Sequence, residues 1–321
     1  MKLILLYWSI ITVAICQNGL AQEPKNSCKK AFVYLSEVYS LADTIKIGYD
    51  KNQIPNGFQA EINSPVCDDK LCANVVLKFY WDLAGNYIRF DTLMGKPLTK
   101  FDHKRFSNTD YQKLDEILKH KNSILRILEK ADLVDKTVKI KATTVDAVTS
   151  ATPATIKNAV VEGAVYSSYT LWNFVNGPVK ESIRTYTLSF YTKEVARKLL
   201  LSGNYESQLF ALKQMTEPEY DQQFELVIQV IRQSIPLIKA YIINKLPIPF
   251  NDQGKNVQFS EIFPELDNYS KSIYLERIAG NRQIAVVFLP LLLPHLSNLN
   301  EKQLEKCISA FEKFGISRSN L

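Results

Sequence analysis

The sequence predicts an α+β N-terminal domain, in which a small antiparallel sheet packs with helices, followed by an all-α C-terminal helical bundle or short solenoid. Two observations lead to this prediction. Residues 74–93 contain two strand-like segments around a turn, and segments with helical periodicity lie on either side of them. Beyond about Thr185 the strand signals fade, and amphipathic helical segments follow one another toward the C-terminus.

The first domain is predicted to alternate helix, hairpin, helix and strand. Residues 27–43 predict a helix, whose apolar positions include Ala31, Val33, Leu35, Val38 and Leu41. Residues 74–81 and 87–93 are rich in aromatic and β-branched side chains, and the five residues between them are typical of a turn, which predicts a β-hairpin.

A second helix and a further strand complete this pattern. Thr109 and Gln112 have the spacing of a capping box, so the helix is predicted to begin there and to use apolar positions as far as Leu128. Residues 138–145 are again β-like, with Thr143, Thr144 and Val145 adjacent.

The C-terminal domain is predicted from helix caps and breakers. Residues 192–201 and 205–215 predict a helix pair hinged at Gly203, and Thr216 with Glu219 predicts a capping box. Pro236 should kink or split the long apolar pattern that follows. Further helices are predicted near 266–279, 283–289 and 300–314, and Asn300 with Gln303 is predicted to cap the last. This succession suggests a bundle or a HEAT-like solenoid, although no strict repeat period is present.

Composition limits the class of protein. The chain has 321 residues, of which 46% are hydrophobic and 22% are charged, so it can bury a substantial core and is not a disordered chain. A net charge of +6 over this length indicates a soluble surface rather than a nucleic-acid-binding one. The three histidines are far apart in the sequence, and no nucleotide-binding loop, nucleophile elbow or zinc motif is present, so no catalytic or metal residues are assigned.

The N-terminus is typical of a secretory signal peptide. Lys2 precedes an apolar run that ends at Ile15, and Gly19-Leu20-Ala21 provides small residues for cleavage after Ala21. The run is short for a membrane span, and no later segment qualifies, so the mature chain is predicted to lack a transmembrane segment and to be periplasmic or secreted. The alternative of a lipid anchor at Cys16 is disfavoured because Ile15 is large. The predicted domains are therefore 1–21, 22–180 and 181–321.

Export makes disulfides possible. Cys67 and Cys72 bracket four residues of a polar turn, and the favoured interpretation is a small disulfide between them. The alternatives are a redox pair, although such enzymes favour a two-residue spacer, or half of a metal site. Cys28 and Cys307 could pair with each other or remain as thiols.

One short segment carries candidate chemistry. Residues 146–153 read Asp-Ala-Val-Thr-Ser-Ala-Thr-Pro, between the predicted strand and a helical pattern. This segment resembles the attachment motif of the FMN-binding domain family of exported and membrane-associated bacterial redox proteins, which runs Asp, two variable residues, Ser or Thr, Gly, Ala, then Thr or Ser. Asp146, Thr149, Ala151 and Thr152 match the motif, whereas Ser150 stands in place of glycine and adds a β-carbon.

The resemblance implies that a dedicated flavin transferase esterifies the hydroxyl of Thr152 to the phosphate of FMN. A strand-to-helix junction has free backbone N–H groups and the positive end of the helix dipole, which stabilise a phosphate. Thr152 would be the N-cap and Pro153 the first helical residue, while the hydroxyl groups of Thr149 and Ser150 could add donors. The alternative is structural, because Thr-Pro is an ordinary helix start and Thr152 could simply cap residues 157–161.

Aromatic residues follow the motif. Tyr166, Tyr169 and Trp172 are three residues apart, so a helix would place them on one face, where an isoalloxazine ring could stack. The alternative is that this face packs the first domain against the helical one.

The sequence therefore predicts an exported flavoprotein that carries covalent FMN and transfers electrons between unidentified extracytoplasmic partners. FMN would be held at Thr152, with Asp146, Thr149, Ser150, Ala151, Tyr166 and Tyr169 around it. The alternative function is a non-catalytic interaction or scaffold protein, in which the FMN-binding-like domain is degenerate and the helical domain binds a protein partner.

Overall fold

The computed structural model describes residues 27–35, 42–66, 74–100, 103–133 and 155–316. The chain divides into two compact units, Met1–Tyr186 and Thr187–Leu321. The first unit contains a sheet with helices and the second is helical, which confirms the coarse α+β and all-α prediction. Several predicted features lie outside the described residues: the signal peptide (1–21) with Cys16, the pair Cys67 and Cys72, the strand 138–145, and the motif residues Asp146, Thr149, Ser150, Ala151 and Thr152.

The first unit is built on a five-stranded antiparallel meander in which spatial order follows chain order. The strands are β1 (Ser27–Leu35), β2 (Ala42–Tyr49), β3 (Pro55–Ser64), β4 (Val75–Trp81) and β5 (Tyr87–Thr92). Its described helices are α1 (Asn108–Lys119), α2 (Val165–Asn176) and α3 (Val179–Leu188).

The prediction of a helix over residues 27–43 is wrong. Residues 27–35 form β1, and Asp43 lies in β2, where it pairs with Tyr34. Backbone pairing with β2 makes this segment a strand, and Phe32 and Tyr34, two residues apart, place their rings against Phe58 and Phe174. Val33 and Leu35 are exposed, whereas Phe32 contacts Phe58 of β3 with ring centroids 6.5 Å apart.

The predicted β-hairpin is confirmed as β4 and β5. Its turn is closed by Asp82, whose Oδ1 accepts hydrogen bonds from the backbone N–H groups of Ala84 at 2.9 Å and Asn86 at 2.8 Å. Gly85 has a φ of +75°, which a glycine adopts without strain. The turn is therefore fixed by local residues, which explains why it could be predicted.

The core of the first unit lies between one face of the sheet and α2. Along β4, Leu77, Phe79 and Trp81 are fully buried, and they pair with Ile62, Ala60 and Phe58 of β3. Phe174 of α2 lies 5.7 Å from the ring of Phe79 and 5.8 Å from that of Trp81. The indole N–H of Trp81 donates to the carbonyl oxygen of Val175 at 3.1 Å. This aromatic contact fixes α2 on the sheet.

The start of α1 differs from the prediction by two residues. The N-cap is Ser107, not Thr109, and Asp110 rather than Gln112 completes the capping box. The helix ends at Lys119, not at Leu128, because Ser123 begins a separate 3₁₀ turn, Ile124–Arg126, by accepting a hydrogen bond from the N–H of Leu125. A serine three residues before an aspartate serves as a capping box as well as the Thr-Gln pair does, and sequence alone did not distinguish the two.

The second unit is a succession of helices whose limits agree with most of the predicted caps. Thr216 and Glu219 form the predicted capping box, as do Asn300 and Gln303, and a helix begins at Pro236 where the long apolar pattern was expected to split. The helices are α4 (Lys193–Leu200), α5 (Tyr205–Gln214), α6 (Glu217–Gln222), α7 (Phe224–Gln233), α8 (Pro236–Lys245), α9 (Gln253–Glu261), α10 (Asn268–Gly280), α11 (Arg282–Leu292) and α12 (Glu301–Phe314).

An aromatic cluster occupies the core of the second unit. Tyr274 of α10 lies 4.8 Å from Phe259 and 5.9 Å from Phe288, between centroids. The guanidinium of Arg277, on the same helix, donates hydrogen bonds to the carbonyl oxygens of Ile243 and Leu246. These are carbonyls at the end of α8 that have no partner within their own helix, so Arg277 caps α8 from a neighbouring helix.

Candidate functional site

The described chain resumes at Thr155, three residues after Thr152, and leads directly to α2. Residues 157–161 do not form the predicted helix: only Lys157–Ala159 is helical, as one 3₁₀ turn without a side-chain cap, and Val160 is extended. Gly163 has a φ of +78°, and a β-carbon there would lie 3.0 Å from Cβ of Lys100. The chain therefore turns sharply at Gly163, and the α-helix after the motif begins only at Val165.

A serine on α2 holds this connection in place. The hydroxyl of Ser168 accepts a hydrogen bond from the N–H of Val161 at 2.9 Å and donates one to the carbonyl oxygen of Ala164 at 2.9 Å. Ser168 is fully buried, so both bonds are shielded from water. The segment that follows the predicted attachment site is thus anchored to the first turn of α2.

Tyr166, Tyr169 and Trp172 do lie on one helix, α2. The hydroxyl of Tyr169 donates to the carbonyl oxygen of Leu128 at 3.1 Å, and the indole N–H of Trp172 donates to the carbonyl oxygen of His120 at 3.0 Å. Both acceptors lie on the segment between α1 and residue 133. Tyr169 and Trp172 therefore attach this segment to α2 within the first unit.

Tyr166 is the aromatic residue at the beginning of this row, and its side chain is partly exposed. The ammonium of Lys130 lies 5.8 Å from the centroid of its ring. Burial, together with the charges of Glu129 and Asp132, raises the pKa of Tyr169, so its phenol stays protonated and continues to donate. The ring of Tyr166 therefore has a cation within cation–π distance and part of its surface exposed.

A second polar cluster, which the sequence analysis did not identify, lies on the sheet face opposite α2. The guanidinium of Arg89 stacks on Tyr80 at 3.9 Å from the ring centroid and forms an ion pair with Asp91. Tyr80 donates to Asp91 at 2.7 Å, and burial with this hydrogen bond raises the pKa of Tyr80 well above its usual value. The alternation of polar residues along β4 and β5 is the sequence signal for this face. All three groups partner one another, so the cluster is explained structurally.

The described residues of the second unit line at least two cavities. One, of about 450 Å³, is bounded by the first turn of α4, the junction of α6 and α7, and Lys255 of α9. The other, of about 250 Å³, adjoins it at Asp221 and is lined by Pro247, Pro249 and Phe250. Sequence analysis missed both, because their lining residues are distant in the chain.

The cysteines outside the predicted pair are also placed. Cys28 accepts a hydrogen bond from Nε2 of Gln59 at 3.2 Å, and Cys307 is a buried thiol whose pKa burial raises to about 11. Both are thiols in the described chain, which is the second of the two alternatives left open for them. Within the described ranges, no group of three or more His, Cys, Asp or Glu residues could hold a metal ion. Over the same residues, no helix has both the length and the apolar character needed to cross a bilayer.

Comparisons of the chain with models of known protein families, with curated proteins and with solved structures find no match.

Proposed function

We propose that this protein is an exported flavoprotein that carries FMN covalently on Thr152 and transfers electrons outside the cytoplasm. The observation that carries the proposal is the sequence of residues 146–152, in which an aspartate, a hydroxyl residue, an alanine and a threonine have the spacing of the family's attachment motif. The leader over residues 1–21 supports export, which this chemistry requires.

The neighbourhood of α2 supports the proposal. The described chain resumes at Thr155, three residues after Thr152 in the sequence. From there the chain passes through the turn at Gly163 to Tyr166, whose partly exposed ring would stack on the flavin. Lys130, beside that ring, would stabilise negative charge on a reduced flavin.

FMN, when bound, accepts two electrons and releases them singly, so the protein's task is to hold the ring and to tune its potential. Thr152 provides the covalent attachment, Thr149 and Ser150 supply hydroxyl donors for the phosphate oxygens, and a flavin transferase acts on the exported chain. The helical second unit would bind the redox partner.

The test is the intact mass of protein expressed with its leader and a flavin transferase. We expect the added mass of one FMN less one water, which the phosphoester bond releases, and a yellow protein, both lost in Thr152→Ala and both kept in Thr155→Ala, a matched threonine outside the motif. Ser150→Gly should raise the fraction modified, because it restores the glycine of the family's motif. An unmodified wild-type protein in cells where a known flavinylated protein is modified would contradict the proposal.

A second candidate function, a non-catalytic interaction protein, is favoured by two observations. Ser150 occupies the glycine position of the motif, and Tyr169 and Trp172 use their polar atoms to hold neighbouring backbone. In this case Ser150→Gly would add no flavin, and cross-linking of the exported protein in intact cells would identify a protein partner equally well with Thr152→Ala.

A further inference from the structure

A charge-free stretch of the second unit includes nearly all of α11. Residues 283–300 contain no Asp, Glu, Lys or Arg, although 22% of the whole chain is charged. One side of α11 is buried, at Ile284, Phe288 and Leu292, and the helix contacts α9, α10 and α12. The absence of charge is therefore expected on that side, but not on the side that faces solvent.

The solvent side of α11 is apolar as well. Val286, which is 51% exposed, is followed at the same four-residue spacing by Pro290 and by Pro294 in the next 3₁₀ turn, and both prolines are exposed. The side chains beside them are half-buried. We call this face the α11 stripe and define it by Val286, Val287, Pro290, Leu291 and Pro294. An apolar stripe without a charge is unusual on the surface of a monomer and marks a contact surface.

The direction of α12 shows what lies at each end of the stripe. Gln303 donates to the carbonyl oxygen of Asn268 near the start of α12 and α10, and Lys313 donates to that of Ala279 near their ends. The two helices are therefore parallel, and α11 runs back along them. The start of α12 consequently lies at the opposite end of the stripe from the start of α11. At the end of α12, Glu312 and Lys313 offset each other in charge.

The two ends of the stripe carry charges of opposite sign. Arg282 begins α11, is exposed and forms no ion pair among the described residues. At the other end Glu301 and Glu305 outnumber Lys302, and these three exposed side chains form no ion pair in the same part of the chain. The stripe therefore runs from a positive end to a negative end.

We propose that the α11 stripe is the contact of a two-fold symmetric homodimer, in which α11 packs antiparallel against α11 of a second copy. An uncharged stripe fits a partner surface that is also uncharged, and a second copy supplies one. The antiparallel arrangement brings Arg282 of each copy toward the partner's Glu301, so that the charges are complementary at both ends. A lipid surface would cover the apolar residues but would place the acidic end against phosphate headgroups.

The contact is independent of the flavin proposal, since every residue that forms it lies in the second unit. One pair of helices of this length buries less area than the roughly 1,200 Å² of a small stable interface, so the dimer should be weak, with a dissociation constant in the micromolar range.

The experiment is sedimentation equilibrium of the full exported chain, purified without flavin transferase, over the micromolar range. We expect the fraction of dimer to rise with concentration. Val286→Glu places a charge inside each stripe and should weaken dimerisation at least tenfold. The matched control is Leu237→Glu, because this leucine of α8 is 53% exposed and lies outside the stripe. It should change the dissociation constant less than twofold.

Charge reversal tests the antiparallel arrangement. Arg282→Glu and Glu301→Arg each bring like charges together and should each weaken dimerisation severalfold, whereas the double variant restores opposite charges and should regain most of the affinity. Circular dichroism checks that every variant keeps its helices.

The proposal is overturned if the wild-type chain is a monomer at every concentration, or if Val286→Glu and Leu237→Glu have equal effects. A monomer that co-sediments with phosphatidylcholine vesicles, and no longer does so with Val286→Glu, would assign the stripe to a lipid surface instead. Failure of the double charge variant to regain affinity would overturn the antiparallel arrangement.

Discussion

The two units obtain their structure from interactions of different range. In the second unit, a helix begins where two residues three positions apart exchange hydrogen bonds between side chain and backbone N–H. Asn300 and Gln303 do this at the start of α12. In the first unit, β1 is a strand because β2 pairs with it, and Trp81 is held by the carbonyl of Val175, 94 residues away. Residues within one turn therefore determine the limits of the helical elements, whereas the sheet depends on partners in other segments, namely the next strand along the chain and the helix α2.

Two glycines offer the strongest test of this difference. Gly85 and Gly203 have nearly the same positive φ, +75° and +72°, but a β-carbon at Gly85 would lie 2.7 Å from the carbonyl oxygen of Lys180, whereas one at Gly203 meets nothing within 4 Å. We expect Gly85→Ala to lower the free energy of unfolding by about 3 kcal/mol, from left-handed strain and overpacking together. Gly203→Ala should lower it by about 1 kcal/mol, from strain alone.

Urea unfolding followed by circular dichroism measures both losses, and hydrogen exchange locates the Gly85 effect at the β4–β5 turn. Equal losses in the two variants would show that the distant Lys180 backbone does not constrain the turn.

This contrast explains how much of the fold could be predicted. The hairpin at residues 74–93 and the caps at Thr216 and Asn300 follow from residues a few positions apart, and all three predictions are confirmed. The pattern of residues 27–43 predicts a helix instead of β1, and no pattern predicts β2 or β3, because their apolar patterns are short. The error arose where strand identity depends on partners in other segments.

A long-range contact in the second unit gives the next test, because the comparison predicts few of them there. Arg277 caps the end of α8 through the carbonyl oxygens of Ile243 and Leu246. Arg277→Met removes the charged hydrogen bonds to both carbonyls, although that of Leu246 keeps the N–H of Ile248 as a donor at 2.9 Å, so we expect a loss of about 2 kcal/mol in the free energy of unfolding.

The matched control is Arg197→Met at an exposed position of α4, which should change stability by less than about 0.5 kcal/mol. Measured by the same urea titration, a negligible effect at Arg277 would show that this long-range contact does not stabilise the second unit.

Two buried tyrosines of the second unit test the cost of an unpaired hydroxyl. The hydroxyl of Tyr220 donates to the carbonyl oxygen of Leu212 at 2.9 Å, whereas that of Tyr274 is buried without a partner among the described residues. We expect Tyr220→Phe to destabilise by about 1 kcal/mol and Tyr274→Phe to stabilise by about 1 kcal/mol, because only the second removes an unsatisfied polar group. Thermal unfolding should therefore shift in opposite directions. Destabilisation by both would mean that Tyr274 has a partner, such as a buried water.

The candidate sites were predictable to different degrees, because the residues of one are contiguous in the chain and those of the other come from separate segments. The motif at residues 146–152 is contiguous, so sequence alone suggests it. The larger cavity of the second unit combines α4, the α6–α7 junction and Lys255, and no pattern in any one of these segments indicates the others. Tyr169 and Trp172 were correctly placed together on a helix, but their partners, Leu128 and His120, could not be predicted because they lie 41 and 52 residues away.

The smallest effect tests a local signal inside the first unit, at the start of α1. Sequence spacing favours Thr109 as the cap, whereas the structure has Ser107, whose hydroxyl accepts from the N–H of Asp110 at 3.3 Å while Asp110 accepts from the N–H of Ser107 at 2.8 Å. We expect Ser107→Ala to destabilise by about 1 kcal/mol, the usual loss of a serine cap. Thr109→Ala removes only a hydroxyl contact to Ser107. It should lower the free energy of unfolding by only a few tenths of a kcal/mol. Because the two alanine variants delete similar groups two residues apart, urea titrations of both identify the cap directly: a larger loss at Thr109 would mean that α1 begins where the sequence pattern places it.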